Sequence, residues 1–485
     1  MGGLPSTLEL IDGKSREPDD RLPGTLDDPN TGLALSPRRA SRLEQVDAAL
    51  ERAQLVHEAR LWRDLGVEGR GEVLHRFADE LAARAAQLAT ADALNTGVPI
   101  DVTTAMTAAC ADQVRGEVRQ LIRTGVVAQL PGSGRGGPVR LHKDPWGPAV
   151  VLAPWNAPSS VAVGRAAAAL AAGCPVIVKP SEWAPSSSAL LIEAAEAAEL
   201  PVGVLQVVQG DGAVGSRLVS DARVRAIAFT GSSEVGRKIA SAAAVNFSRL
   251  QLELSGNNPV IVRADADIAT TACALARGMT KLNGQWCEAP GKVLVSRRLH
   301  DDLVEALLAE LSKLRVGPSS APGTELGPIA FAAHRARLQA QIDMLTRRGG
   351  AARVVFSDLP AQGWFLSPTV VTGVAPEVAM AEIFGPVVSV HPVDDDTEAL
   401  ALAALGPDGL AGYVFGSDVE AALSVGEHLR AGEVKINGTS LLDLTVESHQ
   451  SFWGTSGIGG HGYGEMLEFF RGSRIVGVDN PDAPI

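Results

Sequence analysis

Cys287 sits in NGQWCEAPG, just after a predicted helix and inside a turn flanked by glycines. A thiol in such a turn can face a cleft, and as a thiolate it attacks carbonyl carbon. Taken alone, a single cysteine is more often a small buried hydrophobe, and Cys110, Cys174 and Cys273 are read that way. Glu253 lies in LELSGNNP, after a predicted strand and before a Ser-Gly-Asn-Asn turn. A carboxylate there can serve as a general base, or simply cap a helix or hold an ion pair. FTGSSEVGR places Thr230, Gly231 and Ser232 at a strand end, with Gly236 and Arg237 inside the next helix. This arrangement could set a phosphate over the start of the helix. It is equally an ordinary capped junction and lacks a complete GxGxxG fingerprint.

These residues need elements to hold them. From Pro148 the chain alternates strand and helix: PAVVLAPWNAP and a helix through Leu170, PVIVKPSEWAP and a helix through Leu200, VLQVVQGDG and a short helix, then VRAIAFTGSSEVG and a helix to Val245. Repeated β-α units predict a parallel sheet that binds ligands at the carboxyl ends of its strands. After LELSGNNPVIV a second series predicts a second α/β domain. It has a helix over Ile268 to Leu282, the strand GKVLVS, a helix over Asp302 to Leu314, and strands over Pro386 to Val393 and Glu433 to Asn437. The first forty residues, rich in Pro, Gly and Asp, read as an arm with little regular structure. Ser41 to Thr96 has apolar residues at helical spacing and predicts two or three helices, ended by Gly97 and Pro99. VVAQLPGSGRGGPVR (126 to 140) predicts a hairpin around a Gly-rich turn, either an ordinary surface feature or an arm that pairs between subunits.

The 485 residues exceed what one core usually supports, so two or three domains are expected. A formal net charge of -13 offers nothing to a nucleic-acid backbone or an anionic membrane, so neither is an expected partner. The start has no signal-peptide pattern, and the most apolar stretch, Ser160 to Cys174, contains Arg165 and reads as a buried helix, not a membrane span. Four scattered cysteines form neither a disulfide framework nor a CxxC site, which fits a reducing compartment and the cytoplasm. No cluster has metal-ligand spacing, so no metal is expected.

Taken together, PWNAP (154 to 158), KPSE (179 to 182), FTGSSEVG (229 to 236), LELSGNNP (252 to 259), GQWC (284 to 287) and EIFGPV (382 to 387) resemble the aldehyde dehydrogenase superfamily, in its hydrolytic, NAD(P)-dependent form. The six motifs follow the family's order and spacing. DPNTG, TGVP, GWFLSPTV, GLAGYVF and GEVKIN extend the resemblance over nearly the whole chain.

The resemblance implies an α/β chain with a Rossmann-like parallel-sheet cofactor domain (1–124 and 146–255), a second α/β catalytic domain (256–450) and a small β oligomerisation arm (125–145 and 462–485). It implies Cys287 as the nucleophile that forms a thiohemiacetal and then a thioester. Asn156 and the Cys287 backbone N–H become the oxyanion donors, and Glu253 the general base for hydrolysis. For the cofactor, Lys179 and Glu182 match the residues that hold the adenine ribose. A carboxylate there binds a 2′-hydroxyl and repels a 2′-phosphate, so NAD is preferred, with NADP as the alternative. Ser232 and Gly236 match the pyrophosphate and helix-packing positions. Gly212 falls beneath the adenine, Trp155 beside the dinucleotide, and Glu382 and Phe384 at the nicotinamide ribose and ring. A homodimer or homotetramer is expected.

Two departures stand out. Trp286, before the nucleophile, is either a wall of the substrate tunnel or packed core. SFWGTSGIGGHGYGE lacks the leading proline and the arginine of the family's PFGG...SG.GRE.G segment, and the stretch from Asn437 to Phe452 is lengthened. His449 and His461 fall there and are read as solvated or structural, because the family's mechanism does not call on a histidine. Ala157 after PWN, with Trp286, suggests a hydrophobic or bulky aldehyde. Two rivals remain. A coenzyme-A-acylating relative is disfavoured by Glu253, and a non-catalytic dinucleotide-binding scaffold is disfavoured by the intact Cys287, Asn156 and Glu253.

Overall fold

The computed structural model of the chain describes residues 4–131, 137–441, 444–445 and 447–479. The first parallel sheet is built from short aliphatic runs in the order Leu205–Val207, Val176–Lys179, Ala149–Leu152, Ala226–Gly231, Arg249–Leu254. AVVL and VIVK are buried residue after residue, as required where helices cover both faces of a sheet. Chain order reverses at Ala149–Leu152: the next two strands build to one side, the last two to the other. A crevice therefore opens between the loops after Leu152 and Gly231, which carry Trp155, Asn156 and Ser232. The helix Pro158–Ala172 starts on its proline, ends at Gly173 in the left-handed region (φ 101) and buries an unbroken run of alanines against the sheet.

The second sheet has the order Ala351–Val354, Thr369–Thr372, Val387–Val393, Pro290–Ser296, Asn258–Val262, Ala411–Phe415, Glu433–Ile436, parallel except at its first pair. Arg249–Leu254, flanked at the edge of the first sheet by Gly457–Ile458, is followed in the chain by Asn258–Val262 of the second sheet, so residues 255–257 join the two. A third sheet pairs Arg471–Gly477 with Val139–Pro145 and that strand with Val127–Leu130, all antiparallel. The expected architecture of two α/β sheets and a small β arm is therefore present. The hairpin's Gly-rich turn falls at residues 132–136, outside the described residues.

Four local expectations need correction. The first forty residues are not irregular: Glu9–Ile11 and Lys14–Arg16 pair, and Leu10 adds antiparallel to Val207 at the edge of the first sheet. Asp20–Asp27 and Ala34–Ala40 form a hairpin. The open sheet edge supplies the backbone partners that local composition does not announce. Glu253 lies inside its strand rather than after it, because Leu254 still pairs with Gly231. The helix from Ile268 stops at Thr280, not Leu282. Two further helices, Ile100–Ala108 and Cys110–Thr124, occupy the stretch before the arm hairpin. None of the helices among the described residues is long and apolar enough to cross a membrane.

Gly97 ends the helix Ala85–Thr96 at φ 75, where an added Cβ would lie 2.3 Å from the Pro328 carbonyl oxygen. Gly97→Ala is expected to destabilise the fold by at least about 2 kcal/mol and lower the melting temperature in a thermal scan. An unchanged melting temperature would contradict this close approach.

Candidate active site

Shortly before Cys287 the backbone is forced into the left-handed region at Leu282 (φ 48) and Asn283 (φ 58). Each such residue costs about 1–3 kcal/mol and persists only where its surroundings hold it. Asn283 supplies that hold: its Nδ2 donates to the carbonyls of Gly97 (2.8 Å) and Pro328 (2.9 Å), and its Oδ1 accepts from Gly327 N (2.8 Å). Beyond the turn, Asn258 Nδ2 donates to the carbonyls of Cys287 and Ala289, both at 2.9 Å, while its Oδ1 accepts from Ala411 N at 3.1 Å. Tyr413 Oη donates to Glu288 O at 2.6 Å. Asn283 thus holds the turn before Cys287, and Asn258 and Tyr413 of the second sheet hold the backbone from Cys287 to Ala289. Trp286 is packed core: it is buried beside Val98 and Leu282, and its indole N–H donates to Gly278 O at 2.9 Å.

Cys287 Sγ donates to Glu253 Oε1 at 3.3 Å, so the strand Arg249–Leu254 of the first sheet meets the turn that leads into the second. The other oxygen, Oε2, is held by the Arg165 guanidinium and by His461 Nδ1 at 3.4 Å. Burial alone would raise the Glu253 carboxyl. The hydrogen bond and charge of His461, with Arg165 and the thiol, outweigh it and bring the group down to about 2. Burial, then the neighbouring carboxylates of Glu253 and Glu288, push the Cys287 thiol well up. A thiol in that state needs a base within reach to become nucleophilic, and Glu253 Oε1 is within reach. Asn156 Nδ2 donates to Gln285 O at 2.8 Å, which ties the carboxamide to the backbone of the Cys287 turn.

The residues matched to the cofactor follow the strands of the first sheet, except Glu382 and Phe384, which lie in the loop leading into Val387–Val393 of the second. Lys179 is buried, with Nζ donating to the carbonyls of Pro180 and Gly210, and burial lowers its pKa. Glu182 faces Arg38 Nη2 at 3.9 Å, and that guanidinium lies 4.0 Å over the Trp183 ring. Gly212 opens the helix Gly212–Val219, with no atom within 4 Å of an added Cβ. Ser232 caps Ser233–Ala244 by accepting from Val235 N (3.4 Å), and a Cβ on Gly236 would come within 2.7 Å of Leu254, so glycine sets that helix close to the Glu253 strand. Trp155 packs edge-on to Phe384 (5.5 Å) and Phe331 (5.3 Å). Glu382 Oε1 accepts from Gly256 N at 3.3 Å, and burial pushes its carboxyl up to about 8. Two features suit a dinucleotide: the buried Thr230 hydroxyl has no hydrogen-bond partner, and it stands at the strand end that leads into a capped helix start.

Sequence reasoning missed several members of this site. Arg165 was visible as the lone cation in an alanine-rich run, and a charge that must be buried demands a partner. Asn258 and Asn283 lay within recognised motifs without a role. His449 is exposed on the surface, whereas His461 touches Glu253. No local signal could place His461, because its position depends on two pairings: Gln450 opposite His461 in the hairpin His449–Ser451 with Gly460–Gly462, and Gly457–Ile458 against Leu252–Glu253. Among the described residues, no group of three or more His, Cys, Asp or Glu side chains could hold a metal ion.

Residues 24–476 match the model of the aldehyde dehydrogenase family. A geranial dehydrogenase of Castellaniella defragrans is 36% identical over 399 residues, covering 81% of this chain and 83% of its own. A betaine aldehyde dehydrogenase of Staphylococcus aureus, solved with NAD+ and a BME-modified cysteine, superposes with a TM-score of 0.92 at 27% identity, covering 99% of each chain. An NADP-dependent enzyme of E. coli superposes at 0.91 with 27% identity, covering 98% of each chain. The chain belongs to the aldehyde dehydrogenase family and is an oxidoreductase of NAD(P)-dependent aldehyde oxidation.

Proposed function

We propose that the chain oxidises an aldehyde to a free carboxylic acid through a thiohemiacetal and then a thioester on Cys287. Asn156 acts as oxyanion donor and Glu253 as general base. The observation that carries this reading is the 3.3 Å contact between Cys287 Sγ and Glu253 Oε1 at the junction of the two sheets. In the first step Glu253 accepts the thiol proton as Sγ bonds to the carbonyl carbon, and the carbonyl electron pair moves to oxygen. Asn156 Nδ2 and the Cys287 N–H hold that oxyanion; one such donor is worth about a hundred- to a thousandfold in rate. A bound nicotinamide supplies the hydride acceptor that makes the thioester accessible. The thiol proton leaves Glu253 for solvent; the carboxylate then takes a proton from the water that attacks the thioester, and the C–S bond pair returns to Sγ, which regains a proton as the acid departs.

For the cofactor, Glu182 supports NAD over NADP. The reading assigns Lys179 and Glu182 to the adenine ribose, Gly212 to the adenine, Ser232 and Gly236 to the pyrophosphate, and Trp155, Glu382 and Phe384 to the nicotinamide end. It also assigns 1–124 with 146–255 to cofactor binding, 256–450 to catalysis and 125–145 with 462–485 to subunit contact. The exposed side chains of Val127 and Ile475 on the small sheet, and of Val478 just past its end, support a homo-oligomer. Four free cysteines among the described residues fit a reducing cytoplasm.

NADH formation over a panel of aldehydes should appear with the wild type and be absent with Cys287→Ala; activity that survives Cys287→Ala would overturn the covalent route. By fluorescence titration, NADH should bind more tightly than NADPH, and Glu182→Gln should narrow that gap about tenfold. Equal affinities in the wild type would contradict the assignment of Glu182. Ile475→Glu combined with Val478→Glu should lower the mass measured by light scattering, and an unaltered mass would remove the arm from the interface.

A further inference from the structure

His461 has no part in the reading above, yet it is built into the site with care. Its Nδ1 lies 3.4 Å from Glu253 Oε2. Its Nε2 lies 2.6 Å from Gln450 Nε2, its cross-strand partner. The same Gln450 nitrogen is 3.1 Å from Glu288 Oε1. An amide nitrogen only donates, so Gln450 makes His461 Nε2 an acceptor and leaves the proton on Nδ1, directed at Glu253. The ring of Phe452 stands edge-on to the imidazole at 5.3 Å and closes one side. Arg165 shares Oε2, so both partners bind one oxygen and Oε1 stays free toward Cys287.

We propose that His461 is a positioning residue that sets the strength of Glu253 as a base. As the neutral Nδ1–H tautomer it fixes Oε2 and leaves Oε1 able to accept a proton from water. When protonated, with the Gln450 amide turned so that its Oε1, buried without a partner in the neutral arrangement, accepts from Nε2–H, it locks the carboxylate in an ion pair and switches thioester hydrolysis off. The proposal rests on the covalent route through Cys287. The charged groups around the imidazole are Glu253 on its strand, Arg165 on the helix Pro158–Ala172, and Glu288 across Gln450, with Lys435 and Glu433 behind Glu288. Burial would lower the imidazole pKa, but the hydrogen bond and charge of Glu253 raise it above its ordinary value. Hydrolysis should therefore fail as pH falls through a limb above about 6.5.

The test follows deacylation alone. Para-nitrophenyl acetate is used to acetylate Cys287, and loss of the acetyl mass is timed by intact-mass spectrometry from about pH 6 to about pH 10. The wild type should show the acid limb. His461→Asn, whose side-chain amide donates but does not titrate, should keep the alkaline rate within about threefold and lose the limb. His461→Leu, which cannot donate, should deacylate at least about tenfold more slowly than the wild type on the alkaline side of the limb, show no limb of its own, and retain NADH binding and melting temperature. A limb that persists in His461→Asn, a wild type without one, or wild-type rates in His461→Leu would each overturn the proposal. A wild type that forms no acetyl adduct, or one that also forms on Cys287→Ala, would instead overturn the covalent route beneath it.

Discussion

A carboxylate buried between two sheets must be compensated, and the compensation of Glu253 organises the centre of this molecule. Removing a charge from water costs several kcal/mol unless partners replace its solvation. The chain supplies three, each from a different element: Arg165 from the helix Pro158–Ala172, His461 from the carboxyl-terminal hairpin, and the thiol of Cys287 from the turn before Pro290–Ser296. Two of them bind one oxygen, and the division of labour between Oε1 and Oε2 follows. The same low dielectric raises the cost of deprotonating Cys287, so neither group has an ordinary acidity and each is tuned by the other.

Position depends on rigidity as much as on charge. The strained residues Leu282 and Asn283 hand the chain into the turn at an angle that a regular helix could not give, and Asn283 and Asn258 hold it there by side-chain hydrogen bonds to backbone. The carboxamides suit the task because each can donate and accept at once. Gly97 and Gly236 serve the same end by letting backbone or helix approach where any side chain would collide. Glu253 of the first sheet and Cys287, in the turn leading into the second, then meet beside the short connection at residues 255–257.

Much of this was legible in the sequence because the signals are local. Alternating aliphatic runs and amphipathic stretches gave both parallel sheets, and Cys287, Glu253 and Asn156 were picked out by motifs whose spacing survives folding. What stayed hidden depends on tertiary pairing. Leu10 becomes a strand only because Val207 presents an open edge, and composition alone made the first forty residues look irregular. His461 reaches Glu253 across 208 positions through a hairpin register that no local pattern encodes. Trp286 was ambiguous between tunnel wall and core because the deciding partner, the Gly278 carbonyl, lies one helix earlier.

The most direct test of the coupled pair at the junction is trapping of the intermediate in Glu253→Gln. An aldehyde that the wild type turns over, mixed with NAD+ and this variant, should give about one equivalent of NADH and a stable acyl mass on the peptide that carries Cys287. Continued turnover with no acyl mass on that peptide would contradict the assignment of Glu253 as the base that releases the acid.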